Sequence, residues 1–142
     1  MRQTDIPNEH HFARHLSAGQ IVPSDDGIQV VTPDAFRKRA NEDGVSGAWL
    51  EYYTGTTECC AAAVVREWKA AGRTVRPSHK LALAMAGKIK EVGIRHGRPL
   101  RVRHEPDGPA SSYAQVRGIL DTEAQLLEAL AREAVISLIP CA

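Results

Sequence analysis

Residues 95–118 read RHGRPLRVRHEPDGPASSYAQVRG, and this stretch decides the fold class. Across 100–105, apolar and basic residues alternate with the period of two expected of a half-exposed strand. Leu100, Val102 and His104 point one way. Arg101 and Arg103 point the other way and outward, because guanidinium groups are rarely buried without partners. Glu105, Pro106, Asp107, Gly108 and Pro109 are turn formers, and residues 113–119 return as a partner strand. A strand, loop and strand of this kind predicts antiparallel pairing, and the chain on both sides reads as helices that need a sheet to cover.

Upstream, Thr57 is a candidate N-cap for a helix running to Ala71. Gly72 suits the left-handed stop that lacks a Cβ penalty. Ala61, Val64, Val65 and Trp68 share one face of that helix. Residues 74–76 are expected as a short strand, and Pro77-Ser78 to open a second helix with Leu81, Ala82, Met85, Ile89 and Val92 as its stripe, ending between Gly93 and Gly97. Downstream, Asp121 or Thr122 caps a final helix with Leu126, Leu127, Leu130, Ala131 and Ala134 on its apolar face and an outward Glu128/Arg132 pair. Residues 136–139 either extend that helix or form a last strand.

The amino-terminal third is less regular. Residues 1–19 are polar and are expected as a loosely packed segment, with a short helix carrying His11 and Phe12 towards His15. Residues 20–23 and 28–32 read as a hairpin around Ser24-Asp25-Asp26-Gly27, followed by a short helix from Thr32-Pro33-Asp34 to about Ala40 that Asn41-Glu42-Asp43-Gly44 ends. Residues 48–53 hold three of the seven aromatic side chains and read as a strand or a helical turn whose rings anchor the core. The expected architecture is one α+β domain over 1–142, with about three main helices on a small, mostly antiparallel sheet. A mixed α/β sheet is the alternative.

The chain has 142 residues, 43% hydrophobic and 25% charged, which suits one domain with an ordinary core. No run approaches the roughly 18 apolar residues that a membrane span needs, and MRQTDIPNEHH lacks the apolar stretch of a secretion signal. A cytoplasmic location without membrane partners is therefore the expectation. Adjacent Cys59 and Cys60 do not readily pair with each other, and with Cys141 near a terminus the three thiols are expected reduced.

Net charge is +1, but it hides an asymmetry. Residues 66–104 carry eleven Lys and Arg against Glu67 and Glu91. A basic middle between acidic flanks suggests a polyanion or an acidic partner. Arg95, Arg98, Arg101, Arg103 and His104, with Arg117 returning on the next strand and Tyr113 available to stack, form the candidate anion-binding set. Guanidinium forks match phosphate oxygens in one plane, and aromatic rings between cations suit a single strand. The expected partners are nucleic acid or an acidic protein face. The bland alternative is a solvated strand whose arginines pair with the acidic flanks.

Other constellations carry less. His10, His11 and His15 invite a metal, but HExxH and CxxC spacings are absent and a polar cluster explains them better. Cys59 lies near a helix N-terminus, and His79, His96 or His104 could complete a Cys/His arrangement, though no spacing requires it. Gly87, Gly93 and Gly97 form neither GxGxxG nor a P-loop, so no nucleotide cofactor is expected. Glu42, Asp43 and Glu51 read as a solvated loop rather than paired catalytic carboxylates. The competing function is a small enzyme whose His104, beside Arg101 and Arg103, moves a proton on a phosphate-containing substrate. Val135, Ile136, Leu138 and Ile139 leave an apolar end suited to a homodimer, the alternative being that the final helix simply closes the domain's own core.

Overall fold

One interior strand of the sheet is made of unpromising residues. In the computed structural model, which describes residues 4–23, 25, 27, 29–38, 44–106, 111–120 and 122–141, a two-residue strand β1 (Thr4–Asp5) precedes β2 (His11–Leu16). β2 is paired on both sides, so the amino-terminal stretch expected to be loose and helical is an interior strand. Phe12 and Leu16 point to one face and are fully buried, which stabilises the fold by about 1.5–3 kcal/mol for each side chain. His11, Ala13 and His15 point to the other face. The spacing of His11 and His15 puts both residues on one side of a strand as well as of a helix, so it could not discriminate between them.

The expected hairpin forms from β3 (Ile21–Pro23) and β4 (Gln29–Val31), paired Ile21↔Val31 to Pro23↔Gln29. Ser24 and Asp26 of its turn lie outside the described residues. The helix expected to reach Ala40 is only a 3₁₀ turn over Pro33–Phe36, and residues 39–43 lie outside the description. Next come β5 (Val45–Trp49) and a 3₁₀ turn over Leu50–Tyr52, so the aromatic stretch is strand first and turn second. Helix α1 (Thr57–Ala70) is capped one residue earlier than expected: Thr56 Oγ1 accepts from the Cys59 amide at 3.1 Å. Gly72, at φ +87°, ends it, with its own amide on Lys69 O and that of Arg73 on Trp68 O, the paired closure that satisfies the last carbonyls.

The largest departure follows. Residues 74–76 form no strand, and Leu81, Ala82 and Met85 belong not to a helix but to β6 (Lys80–Met85). β6 pairs with β2 along its full length and with β9 (Val135–Pro140) on its other side. KLALAM consists mostly of good helix formers, but both of its faces are buried, and a strand between two neighbours satisfies its backbone while filling both layers. Helix α2 (Ala86–Arg95) begins only afterwards. Then β7 (Arg101–His104) and β8 (Tyr113–Arg117) form the antiparallel pair expected from residues 95–118. Residues 107–110 of their loop, and the Asp121 cap, lie outside the described residues. Helix α3 (Ala124–Ala129) starts at Glu123 without a side-chain cap and widens into a π-helical turn over Leu130–Ala134. β9 follows, the strand alternative for the last segment.

The main sheet has the order β1-β7-β8-β5-β2-β6-β9, with every pairing antiparallel. Among the described residues, three helices, this sheet and the small hairpin make one α+β domain, and the antiparallel pairing excludes the mixed sheet. α2 and α3 cover one face, where Phe12, Ala82, Ala84, Val102, Ala114 and Val116 meet Ile89, Val92, Leu126, Leu127 and Leu130. α1 covers part of the other, placing Val64, Val65 and Trp68 on Ala13, Ala48, Leu81 and Leu83. No helix among the described residues is long and apolar enough to cross a membrane.

Candidate anion-binding site

Strand register sorts the candidate residues into groups. Arg101 pairs with Arg117 and Arg103 with Gln115, while Gln115 and Tyr113 lie opposite Ser46 and Ala48 of β5. Directly opposed residues share a face. Arg101, Arg103, Tyr113, Gln115 and Arg117 therefore lie on the sheet face that α1 covers further along, where β8 and β7 continue it with polar side chains. Asp5 joins them from β1, opposite Arg103.

The arginines have carboxylate neighbours. Arg117 makes a two-pronged bond to Glu105, Nε to Oε2 at 2.7 Å and Nη2 to Oε1 at 2.8 Å. Asp5 Oδ1 lies 3.4 Å from Arg101 Nη2 and 3.8 Å from Arg103 Nε. The two sets differ in strength. A bidentate pair with a largely buried carboxylate is firm, whereas Asp5 and Arg101 are both more than half exposed, and such pairs contribute about 0–1 kcal/mol. Tyr113 is half-buried, its hydroxyl held by Ser46 Oγ and Gln115 Nε2, both at 2.8 Å. Gln115 is buried and its Oε1 has no hydrogen-bond partner among the described residues.

The rest of the expected set lies elsewhere. His104 pairs with Ala114 and faces away from Arg101 and Arg103, with its ring edge-on to Trp49 at 5.0 Å, beside Tyr52 at 5.3 Å, and Nε2 on Ser111 O at 2.7 Å. Alternation alone implied this, since residues one apart on a strand point to opposite faces. The trio of His104, Arg101 and Arg103 is therefore not a local site. Arg95 is bonded to Glu133 at 2.5 Å, which raises the Arg95 pKa and lowers that of Glu133, and Arg98 Nε is bonded to Glu123 at 2.8 Å. Both belong to the helical side of the sheet.

The three amino-terminal histidines also separate. His10 accepts from Trp49 Nε1 at 3.0 Å, His11 Nδ1 meets Glu51 Oε2 at 2.5 Å, and His15 reaches His79. No three His, Cys, Asp or Glu residues gather around a common point among the described residues. Glu51 is engaged with His11, while Glu42 and Asp43 lie outside the description. Cys59 is exposed, and Cys60 is buried, its thiol pKa raised by burial and its Sγ placed 3.2 Å from Tyr53 O.

Two features escaped the sequence reading. Glu67, 8% exposed on α1, takes the Ser112 amide at 3.0 Å, the Ser112 hydroxyl at 2.6 Å and the Tyr53 hydroxyl at 2.6 Å. Arg14, buried in β2, donates to the carbonyls of Ala35, Ser46 and Arg37 at 2.8, 2.5 and 3.3 Å. Arg14 ties the 3₁₀ turn over Pro33–Phe36 to β5. No family model matches the chain, and no curated protein and no solved structure matches it.

Proposed function

We propose that the protein is an anion-binding module whose contact surface is the β7–β8 face built on Arg101, Arg103 and Arg117, and that its partner is a nucleic-acid strand. The observation that carries this is the cross-strand register that gathers three guanidinium groups onto one sheet face beside Tyr113. Residues 101 and 103 repeat at the strand period of about 6.6–6.8 Å, which suits successive phosphates of an extended strand. The Asp5–Arg101 pair, exposed on both sides, exchanges for phosphate at little cost. An acidic protein face is the competing partner, and the three free thiols accord with a reducing, cytoplasmic setting.

The test is fluorescence anisotropy with a mixed-sequence single-stranded oligonucleotide. Two to three phosphate contacts predict a roughly tenfold loss of affinity between 50 and 200 mM salt. The Arg101→Ala/Arg103→Ala variant binds more weakly and with a shallower salt slope. Equal binding by wild type and variant at low salt overturns the nucleic-acid partner.

We further propose that a second copy of the chain pairs along β9. The Leu/Ala face of α3 closes the protein's own core, but β9 is the last strand in the sheet order and Ile136 on it is 56% exposed. Unpaired strand edges are templates for another strand. Light scattering up to tens of micromolar shows a mass above 15.5 kDa if this holds, and Ile136→Lys returns it to the monomer.

A further inference from the structure

A second polar site, sharing no residue with the arginine face, lies where α1 ends beside β2 and β6. Gly72 turns the chain so that Arg73 folds back on the helix, its guanidinium carbon 5.2 Å from the Trp68 ring centre. His15 stacks on the same indole at 5.0 Å. His15 Nε2 lies 2.8 Å from His79 Nδ1, and Arg73 Nη1 lies 3.5 Å from His15 Nδ1. One tryptophan thus supports a guanidinium and an imidazole, and a second imidazole is bonded to the first.

The hydrogen bonds assign the tautomers. His79 Nδ1 accepts the Arg76 amide hydrogen at 3.3 Å, so that nitrogen is unprotonated; its one lone pair is shared with the shorter contact to His15, whose Nε2 carries the proton between the rings. His15 Nδ1 is then an acceptor facing the Arg73 guanidinium. His79 carries its proton on Nε2, which makes no bond among the described residues. A chain of donors therefore runs from Arg73 through His15 to a single outward N–H on His79. Its two ends, a cation and a polarised donor, suit an oxyanion.

The surroundings narrow the ligand. Arg73 and His79 line an open cleft of about 620 Å³ that also exposes Ser17, Gln20, Asp34 and Thr74, a size within the range of small-molecule sites. Apart from the His15 and His79 rings, the lining holds no aromatic side chain and no Val, Leu or Ile, so it offers no apolar slot for a flat base. Asp34 repels a second anionic group but accepts hydroxyl hydrogens.

We infer that this cleft binds a small phosphate monoester with a hydroxyl-rich body, a sugar phosphate, with the phosphoryl group on Arg73 and His79 and the hydroxyls towards Asp34. The test is calorimetry and NMR titration of the full chain with ribose 5-phosphate, inorganic phosphate, ribose and AMP. Ribose 5-phosphate binds at least fivefold more tightly than inorganic phosphate or AMP, and ribose alone does not bind. His79→Asn keeps an acceptor near the Nδ1 position but lacks the outward N–H, and it loses about tenfold in affinity. His79→Gln restores a donor near the Nε2 position and recovers part of that loss. Circular dichroism and the Arg101→Ala/Arg103→Ala variant, which binds ribose 5-phosphate as wild type does, separate this site from folding defects and from the arginine face. No binding by wild type, AMP binding tighter than ribose 5-phosphate, or wild-type affinity in His79→Asn overturns the assignment.

Discussion

Glu67 on α1 grips Ser112 at the start of β8, one carboxylate oxygen on the amide at 3.0 Å and the other on the hydroxyl at 2.6 Å. The residues are 45 positions apart, and the bond ties the helix to the β7–β8 half of the sheet. Glu67 is the only buried carboxylate among the described residues, and three donors satisfy it.

Glu67→Ala leaves the Ser112 amide and the Tyr53 hydroxyl without their acceptor. Hydrogen bonds to charged groups contribute about 1.5–3 kcal/mol each, and the packing relaxes in part, so the expected loss is about 3 kcal/mol, or roughly 10 °C in Tm. Glu58→Ala, at the exposed start of the same helix, costs under about 1 kcal/mol. Thermal melts of both variants decide, and equal small shifts would remove the structural role assigned to Glu67.

Tyr53 gives this network an alkaline limit. Burial, then its hydrogen bond to Glu67, raises its pKa from 10.0 to about 12, and burial raises Cys141 from 9.0 to about 11. Both groups hold their protons longer folded than unfolded. The stability they contribute is complete below the unfolded values and is lost as pH rises through the folded ones. The urea midpoint should fall between pH 9 and pH 12, and Tyr53→Phe should make the fall shallower above pH 10. A midpoint that stays flat to pH 12 contradicts the assignment.

Asp5 competes with any anion for Arg101 and Arg103. Asp5→Asn removes that competition, and the expected gain in oligonucleotide affinity at low salt is about fivefold, matching a weak exposed pair of about 1 kcal/mol. Thermal stability should change by less than about 0.5 kcal/mol. Unchanged anisotropy titrations would mean that the face does not meet the ligand through these arginines.

What the sequence disclosed follows from how local each signal is. Turn residues between short apolar runs located the hairpin of β3 and β4, alternation located β7, and the turn formers after it located β8 as the returning strand. The same alternation placed Arg101 with Arg103 and set His104 on the opposite face. Whether Arg117 joined them depended on register, because a slip of one residue sends it to the other side. β6 was illegible because Leu and Ala favour helices and only its two flanking strands make it a strand. The contact between His15 and His79 spans 64 positions, and no local pattern encodes it.

Gly47 tests the packing at the centre of the sheet. It sits in β5, and a Cβ built there would lie 2.4 Å from Phe12 Cζ and 2.5 Å from the Ala13 carbonyl oxygen. The tip of the Phe12 ring therefore lies close against the backbone of β5, and it is the missing side chain that lets a fully buried aromatic fill the space below α2 and α3. Gly47→Ala should cost about 1–3 kcal/mol or more, as overpacking does. Phe12→Leu in the same chain should recover only part of the loss, because the ring clash is relieved while the clash with the Ala13 carbonyl, fixed by the pairing of β2 with β6, remains. Urea denaturation of the single and double variants measures the coupling. Full recovery in the double variant would show that the backbone of β2 yields at Ala13, and no loss in Gly47→Ala would show that the two strands are not packed this closely.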